Sequence, residues 1–405
     1  MLRTLKKLRH WLSGKSDAPP ARDDSEDDRL FDTVITLDTE TANGTRCDVA
    51  SDDQASGEPA ELSPPAQNDE PVIESPVLSE YDARLRQETA RYDDDLDVHH
   101  LPPIFHYWSH KYLRPELEAF GYQHPEHAFQ TEFARVIRAN AGRLCRFASL
   151  GSGNGDAEVR IAQSLKAEGL NDFCIDCLEL NPAMSARTIE LAEQAGVAAH
   201  IRGVTMDIND WRPDQDYASV MANQSLHHMV ELERIFDTVK IMMADEARFI
   251  VYDMIGRNGH QRWPEALTIV RAFWQELPES YRYQRQLKRQ EPEFMDWDCS
   301  LEGFEGIRSQ DILPLLCERF HFELFLPFAN VIDPFIDRGF GHHFDANAEW
   351  DCDFIDRVHA RDTAELIAGT IKPTHLIAVL TKTPPTRRRW RPGFSPQSCI
   401  RDPLA

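Results

Sequence analysis

Between residues 144 and 382 the chain alternates two periodicities, and this alternation constrains its fold most tightly. Strand-like apolar runs lie at 144–150, 173–180, 200–205, 219–222 and 249–253, with helical patterns between them at 157–168, 185–195 and 232–244. Helices at 265–276 and 311–320, a strand at 322–328, a long helix at 349–370 and a last strand at 374–382 complete the pattern. A strand that feeds a helix must cross over before it pairs again, so successive strands run parallel with helices on both faces. The predicted class is α/β, with a doubly wound, mostly parallel sheet.

The rest of the chain divides by composition. Residues 1–13 put Leu2, Leu5, Leu8, Trp11 and Leu12 on one helical face and Arg3, Lys6, Lys7 and His10 on the other. Such a short basic amphipathic segment suits weak peripheral contact with an anionic membrane surface; a frayed tail fits the same residues, since so short a helix is marginal in water. Residues 14–97 are rich in Asp, Glu, Ser and Pro, and they are expected to be an acidic disordered region with too little apolar surface to fold. Residues 98–142 carry Phe105, Tyr107, Trp108, Tyr112, Phe120 and Tyr122, and are predicted to form a helical cap before the main domain at 143–383. The tail at 384–405, with its run Arg387-Arg388-Arg389-Trp390-Arg391, is expected to be basic and disordered.

Charge and cysteine usage exclude some classes. The net charge is −24, about half of it in the first hundred residues, which makes nucleic acid a poor partner. The eight cysteines form no disulfide framework, and with no visible secretory signal the expected setting is cytoplasmic. Cys174 and Cys177 lie three apart in a predicted strand and so face opposite ways, which suits structure rather than metal. No run reaches the roughly eighteen apolar residues that a bilayer span needs.

The first strand ends in Gly151-Ser152-Gly153-Asn154-Gly155, and a helical pattern starts at once. Glycines sit so where the backbone turns sharply and lets a ligand lie against it. In the dinucleotide fingerprint the third glycine follows the second by three residues; here Gly155 follows Gly153 by two. In open α/β sheets ligands bind beyond the carboxyl ends of the strands, so the residues after successive strands belong together. After the second come Glu179 and Leu180; after the third, Asp207 and Ile208; after the fourth, Asn223 and then Leu226-His227-His228. After the fifth comes a polar cluster that includes Asp253, Arg257 and His260.

This set resembles the class I S-adenosylmethionine (SAM)-dependent methyltransferases, over roughly residues 143 to 382. The resemblance implies a seven-stranded Rossmann-like sheet whose last strand is antiparallel. It implies SAM as cofactor, on Gly151, Ser152, Gly153, Asn154 and Gly155, with Glu179 and Leu180 at the ribose. Asp207 would accept from the adenine amino group beside Ile208, and Asn223 would border the sulfonium. The N-P-P-[YF] signature of base methylation is absent, which points to O-methylation of a polar small molecule or glycan. A hydroxyl acceptor needs a base; His228 is the first candidate, followed by His227, His260 and Asp253. One departure is Ser149, where the family often carries an acid for the methionine amino group; Asp156 is a candidate substitute.

Two other readings fit the same sheet: an NAD(P)-dependent Rossmann oxidoreductase, which the glycine spacing opposes, and a non-catalytic SAM-binding protein. No metal is expected. Adjacent histidines such as His342 and His343 rarely both reach one ion, even with Asp345 nearby.

Overall fold

The computed structural model describes residues 81, 84, 101–301 and 303–402. The segment 1–13, and most of the acidic region 14–97, lie outside the described residues. Within that region Tyr81 and Arg84 are helical and partly buried.

Helices α1 (Pro103–Trp108), α2 (Arg114–Glu118) and α3 (Pro125–Ala139) precede the sheet. There follow β1 (Cys145–Leu150), α4 (Asp156–Ala167), β2 (Phe173–Glu179), α5 (Pro182–Gln194), β3 (Ile201–Thr205) and β4 (Tyr217–Asn223). Next come α6 (Leu232–Met242), β5 (Met243–Met254) and α7 (Pro264–Glu276). A two-residue hairpin, β6 (Tyr283–Gln284) and β7 (Arg289–Gln290), leads to α8 (Ser309–Arg319) and β8 (His321–Phe328). The chain closes with α9 (Asp333–Ile336), α10 (Glu349–Ala368), β9 (His375–Thr381), β10 (Arg389–Trp390) and α11 (Pro396–Cys399).

The main sheet runs in the order β10-β8-β9-β5-β4-β1-β2-β3. β1, β2, β3, β4 and β5 are parallel, and β9 is antiparallel to both β5 and β8. The expected doubly wound sheet with an antiparallel last strand is present, with eight strands rather than seven. The eighth is β10, which pairs parallel with β8 through Arg389 and Trp390. Crossovers run one way from β1 to β3 and the other way from β4 to β5, so the switch point lies between β1 and β4, where ligands collect in such sheets.

Each face of the sheet has its own apolar layer. One joins Phe133, Phe147, Phe173, Trp274, Phe335 and Phe354; Phe133 of α3 stacks on Phe147 of β1 at 4.0 Å between ring centroids. The other joins Leu150, Val220, Phe236, Phe249, Leu316 and Phe325. A sheet buried on both faces needs near-continuous apolar strands, which is what β4 and the Phe249–Tyr252 part of β5 supply.

The tail corrects the sequence reading. Residues 389–402 are ordered by ion pairs that composition does not show. Arg389 donates to Tyr122 Oη at 3.0 Å and to Glu132 at 3.1 Å, and Arg391 pairs with Glu116. These acids sit on the preceding helices, so Arg389 and Arg391 tie the segment to the β8 edge of the sheet rather than leaving a solvated tail.

Candidate functional site

The glycine loop joins β1 to α4. Gly151, Gly153 and Gly155 all have positive φ, a region that side chains other than glycine enter at a cost. Gly155 is also packed: a Cβ there would lie 2.3 Å from Thr188 Cγ2. The loop's N–H groups are largely committed to protein oxygens. Gly151 and Ser152 donate to Leu178 O at 2.9 and 3.1 Å, Gly153 to Glu179 Oε2 at 2.9 Å, and Gly155 to Ser152 O at 3.0 Å. A pyrophosphate would need those donors, so the loop suits a ligand without one.

Glu179 ends β2 and is nearly buried. Its second oxygen accepts from Asn181 N at 2.8 Å, and burial raises its carboxyl above the usual range against those backbone donors. Each oxygen keeps acceptor capacity for a ribose hydroxyl. Leu180 follows at the strand end, half-buried. Asp207 caps the short turn Ile208–Asp210, accepting from Asn209 N at 2.8 Å and Asn209 Nδ2 at 3.0 Å. Its other oxygen takes the hydroxyl of Tyr81. Ile208 is packed into the apolar layer, leaving Met206 the more exposed neighbour.

Ser149 has a partner that the sequence reading missed. Its hydroxyl donates to Glu158 Oε1 at 2.6 Å, and the other Glu158 oxygen is buried without a hydrogen-bond partner. Burial pushes the Glu158 carboxyl up to about 7 despite the Ser149 hydroxyl. Glu158, on α4, thus brings a carboxyl to the place where the family pattern expects an acid; Asp156 remains at the helix start, partly exposed. The Ser152 hydroxyl, in the loop, is also buried without a partner.

Beyond β4, Asn223 leads into Gln224, whose φ is +54°, and then into the turn Leu226–His228. Ser225 Oγ donates to Leu150 O at 2.5 Å, tying this turn to the start of the glycine loop. Asp253, at the end of β5, is 0% exposed. It accepts from the backbone N–H of Ser225, Leu226 and Met254 at 2.9, 2.7 and 2.8 Å, and its Oδ1 lies 2.6 Å from His227 Nδ1. Asp253 was expected to face the acceptor; instead it is sealed in, and it orients His227.

The structure brings His227, His228 and His260 together, and adds Glu305. Glu305 Oε1 lies 2.6 Å from His260 Nε2 and 3.5 Å from His227 Nε2; Oε2 lies 3.8 Å from His228 Nε2. Burial alone would lower His227, but Asp253 and Glu305 on either side raise it well above the usual histidine range. Burial lowers His260, with Glu305 opposing. His228 is the more exposed of the adjacent pair. Glu305 sits in Gly303-Phe304-Glu305-Gly306, a stretch without helical or strand periodicity; its two flanking glycines were the only local signal. Arg257, the remaining member of the polar cluster, donates to Arg262 O at 3.2 Å.

No protein-family model matches the chain, and no curated protein matches it. Among solved structures it is similar to geranyl diphosphate C-methyltransferase from Streptomyces coelicolor A3(2), in complex with Mg2+, geranyl diphosphate and S-adenosyl-L-homocysteine. The identity is 10% and the TM-score 0.38, over 74% of this chain and 98% of that one. It is similar to a putative sarcosine dimethylglycine methyltransferase from Galdieria sulphuraria at 14% identity and TM-score 0.36, over 63% and 82%. It is also similar to an O-methyltransferase from a trans-AT PKS multienzyme of Brevibacillus brevis at 12% identity and TM-score 0.34, over 66% and 75%.

Proposed function

We propose that the chain is a SAM-dependent methyltransferase acting on a hydroxyl of a polar small molecule. One observation carries the reading: Glu179 closes onto Gly153 N–H at the carboxyl end of β2, while the rest of the loop is bonded within the protein. That combination offers a ribose acceptor and withholds a pyrophosphate cradle, which favours SAM over NAD(P).

The residues fit the cofactor. Glu179 would hold the ribose hydroxyls beside Leu180. Asp207 would take the adenine amino group, sharing or exchanging its bond to Tyr81. The partnerless oxygens of Ser152 and Glu158 supply acceptors for the methionine end, with Asn154 and Asn223 bordering it. When bound, SAM supplies an activated methyl group for in-line displacement.

The protein's work is positioning and proton handling. His228, at the turn after β4, is the proposed base for the acceptor hydroxyl. His227, held by Asp253 on one side and facing Glu305 on the other, packs against His228 and is not the base. His260 is fixed by Glu305 on the opposite side.

Isothermal titration with S-adenosylhomocysteine, NAD and NADP tests the cofactor; binding of only the nicotinamide ligands would overturn the reading. Radiolabel transfer from SAM into fractionated small-molecule extract then tests catalysis. Binding without transfer to any fraction would favour a non-catalytic SAM-binding protein.

A further inference from the structure

His227, His260 and Glu305 each offer one ligand atom, and these atoms lie within 4.8 Å of one another. They come from three separate loops, after β4, after β5 and before α8. We propose that they form a binding site for a divalent transition-metal ion of the Zn2+ and Fe2+ class.

Two imidazoles and one carboxylate form a mixed nitrogen and oxygen donor set, which selects borderline metals over Mg2+ or Ca2+. An ion about 2.0–2.2 Å from each donor needs neighbouring donors about 3–3.4 Å apart. His227 Nε2 and Glu305 Oε1, at 3.5 Å, stand near that spacing; His260 Nε2 and Glu305 Oε1, at 2.6 Å, need only a small spread and loss of their shared proton.

The surroundings are those of a built site. His227 presents Nε2 because Asp253 holds Nδ1 at 2.6 Å, the carboxylate–histidine arrangement that orients metal ligands. Asp253 is itself fixed by three backbone N–H groups. His260 is held at φ +54°, a conformation that non-glycine residues avoid. Arg262 braces it, donating to His260 O at 2.8 Å and to Asp333 at 3.1 Å. Before it, Gly259 has φ +64°, and a Cβ there would lie 1.9 Å from Asp298 Oδ1. The charge also balances, since a divalent ion offsets the two carboxylates Asp253 and Glu305. Three protein ligands leave positions for oxygen donors of an acceptor, a consequence that rests on the methyl-transfer reading; the binding of the ion does not.

The test is metal binding by the full chain, stripped with chelator and titrated with Co2+ followed by Zn2+. One ion per chain is expected, with visible d–d absorption that Zn2+ abolishes. His260→Ala and Glu305→Gln should each weaken Co2+ binding at least about tenfold, and Asp253→Asn by about 10–100-fold. His343→Ala, whose Nε2 is bonded to Tyr283 O, should bind as wild type. No uptake of either metal by the folded wild-type chain at micromolar concentrations overturns the proposal, as does equal uptake by the ligand variants. If a variant does not fold, electron paramagnetic resonance of the Cu2+-loaded wild type decides. Coupling to two imidazole nitrogens supports the site, and its absence overturns it.

Discussion

Tyr81 donates its hydroxyl to Asp207, joining a residue of the acidic N-terminal region to the strand end assigned to the adenine ring. The Tyr81 ring lies 5.4 Å from that of Phe304, next to Glu305, and Arg84 donates to Ser300 O at 3.0 Å and Gly303 O at 3.2 Å. Tyr81 and Arg84 thus touch the proposed cofactor edge and the segment that carries Glu305. In the cofactor reading, the adenine amino group competes with Tyr81 for one carboxylate oxygen. Tyr81→Phe is therefore expected to tighten S-adenosylhomocysteine binding about three- to tenfold, the size of one hydrogen bond. Calorimetric titration checks it; weaker binding would make Tyr81 part of the ligand's own contacts.

Two loop glycines separate backbone strain from packing. A Cβ at Gly153 meets nothing within 4 Å, whereas at Gly155 it meets Thr188. Gly153→Ala is expected to cost about 1–2 kcal/mol for the left-handed backbone. Gly155→Ala should cost more, and Thr188→Ala in the same chain should restore part of the loss. Urea denaturation of the four chains measures this.

His228→Ala is expected to leave S-adenosylhomocysteine affinity unchanged and to lower turnover at least about tenfold, towards the 10²-fold of a lost general base. Unchanged turnover in a radiolabel assay would remove His228 from proton transfer.

Asp362 should give a pH signature away from the site. It is 1% exposed and accepts from Val331 N at 2.8 Å and Asn330 N at 3.2 Å. Burial, with Asp333 nearby, pushes its carboxyl up to about 7, against those N–H groups and Arg262. A folded pKa above the unfolded value means that the folded state holds the proton longer. Its favourable contribution is full below about pH 4 and is lost as pH rises through about 7. The stability of wild type relative to Asp362→Asn should fall between pH 4 and 8, by an amount on the order of 4 kcal/mol if the whole shift is expressed. A pH-independent difference in urea titrations would contradict it.

The alternating strands and helices, the glycine loop, and the placing of Glu179, Asp207 and the histidine pair at strand ends are all legible along the chain. Each of these follows from periodicity or spacing within a few tens of residues, which local backbone geometry obeys. Which distant groups meet is set by packing between elements. Glu305 reaches His227 and His260 across a stretch with no periodicity, and Glu158 reaches Ser149 from the first turn of α4. Tyr81 reaches Asp207 over 126 positions, and Arg389 turns an apparent tail into an edge strand by pairing with Glu132. Such contacts are chosen by burial and charge pairing between separate elements, and no local pattern encodes the partner. The same physics made Asp253 a buried support for His227 instead of a group facing the acceptor.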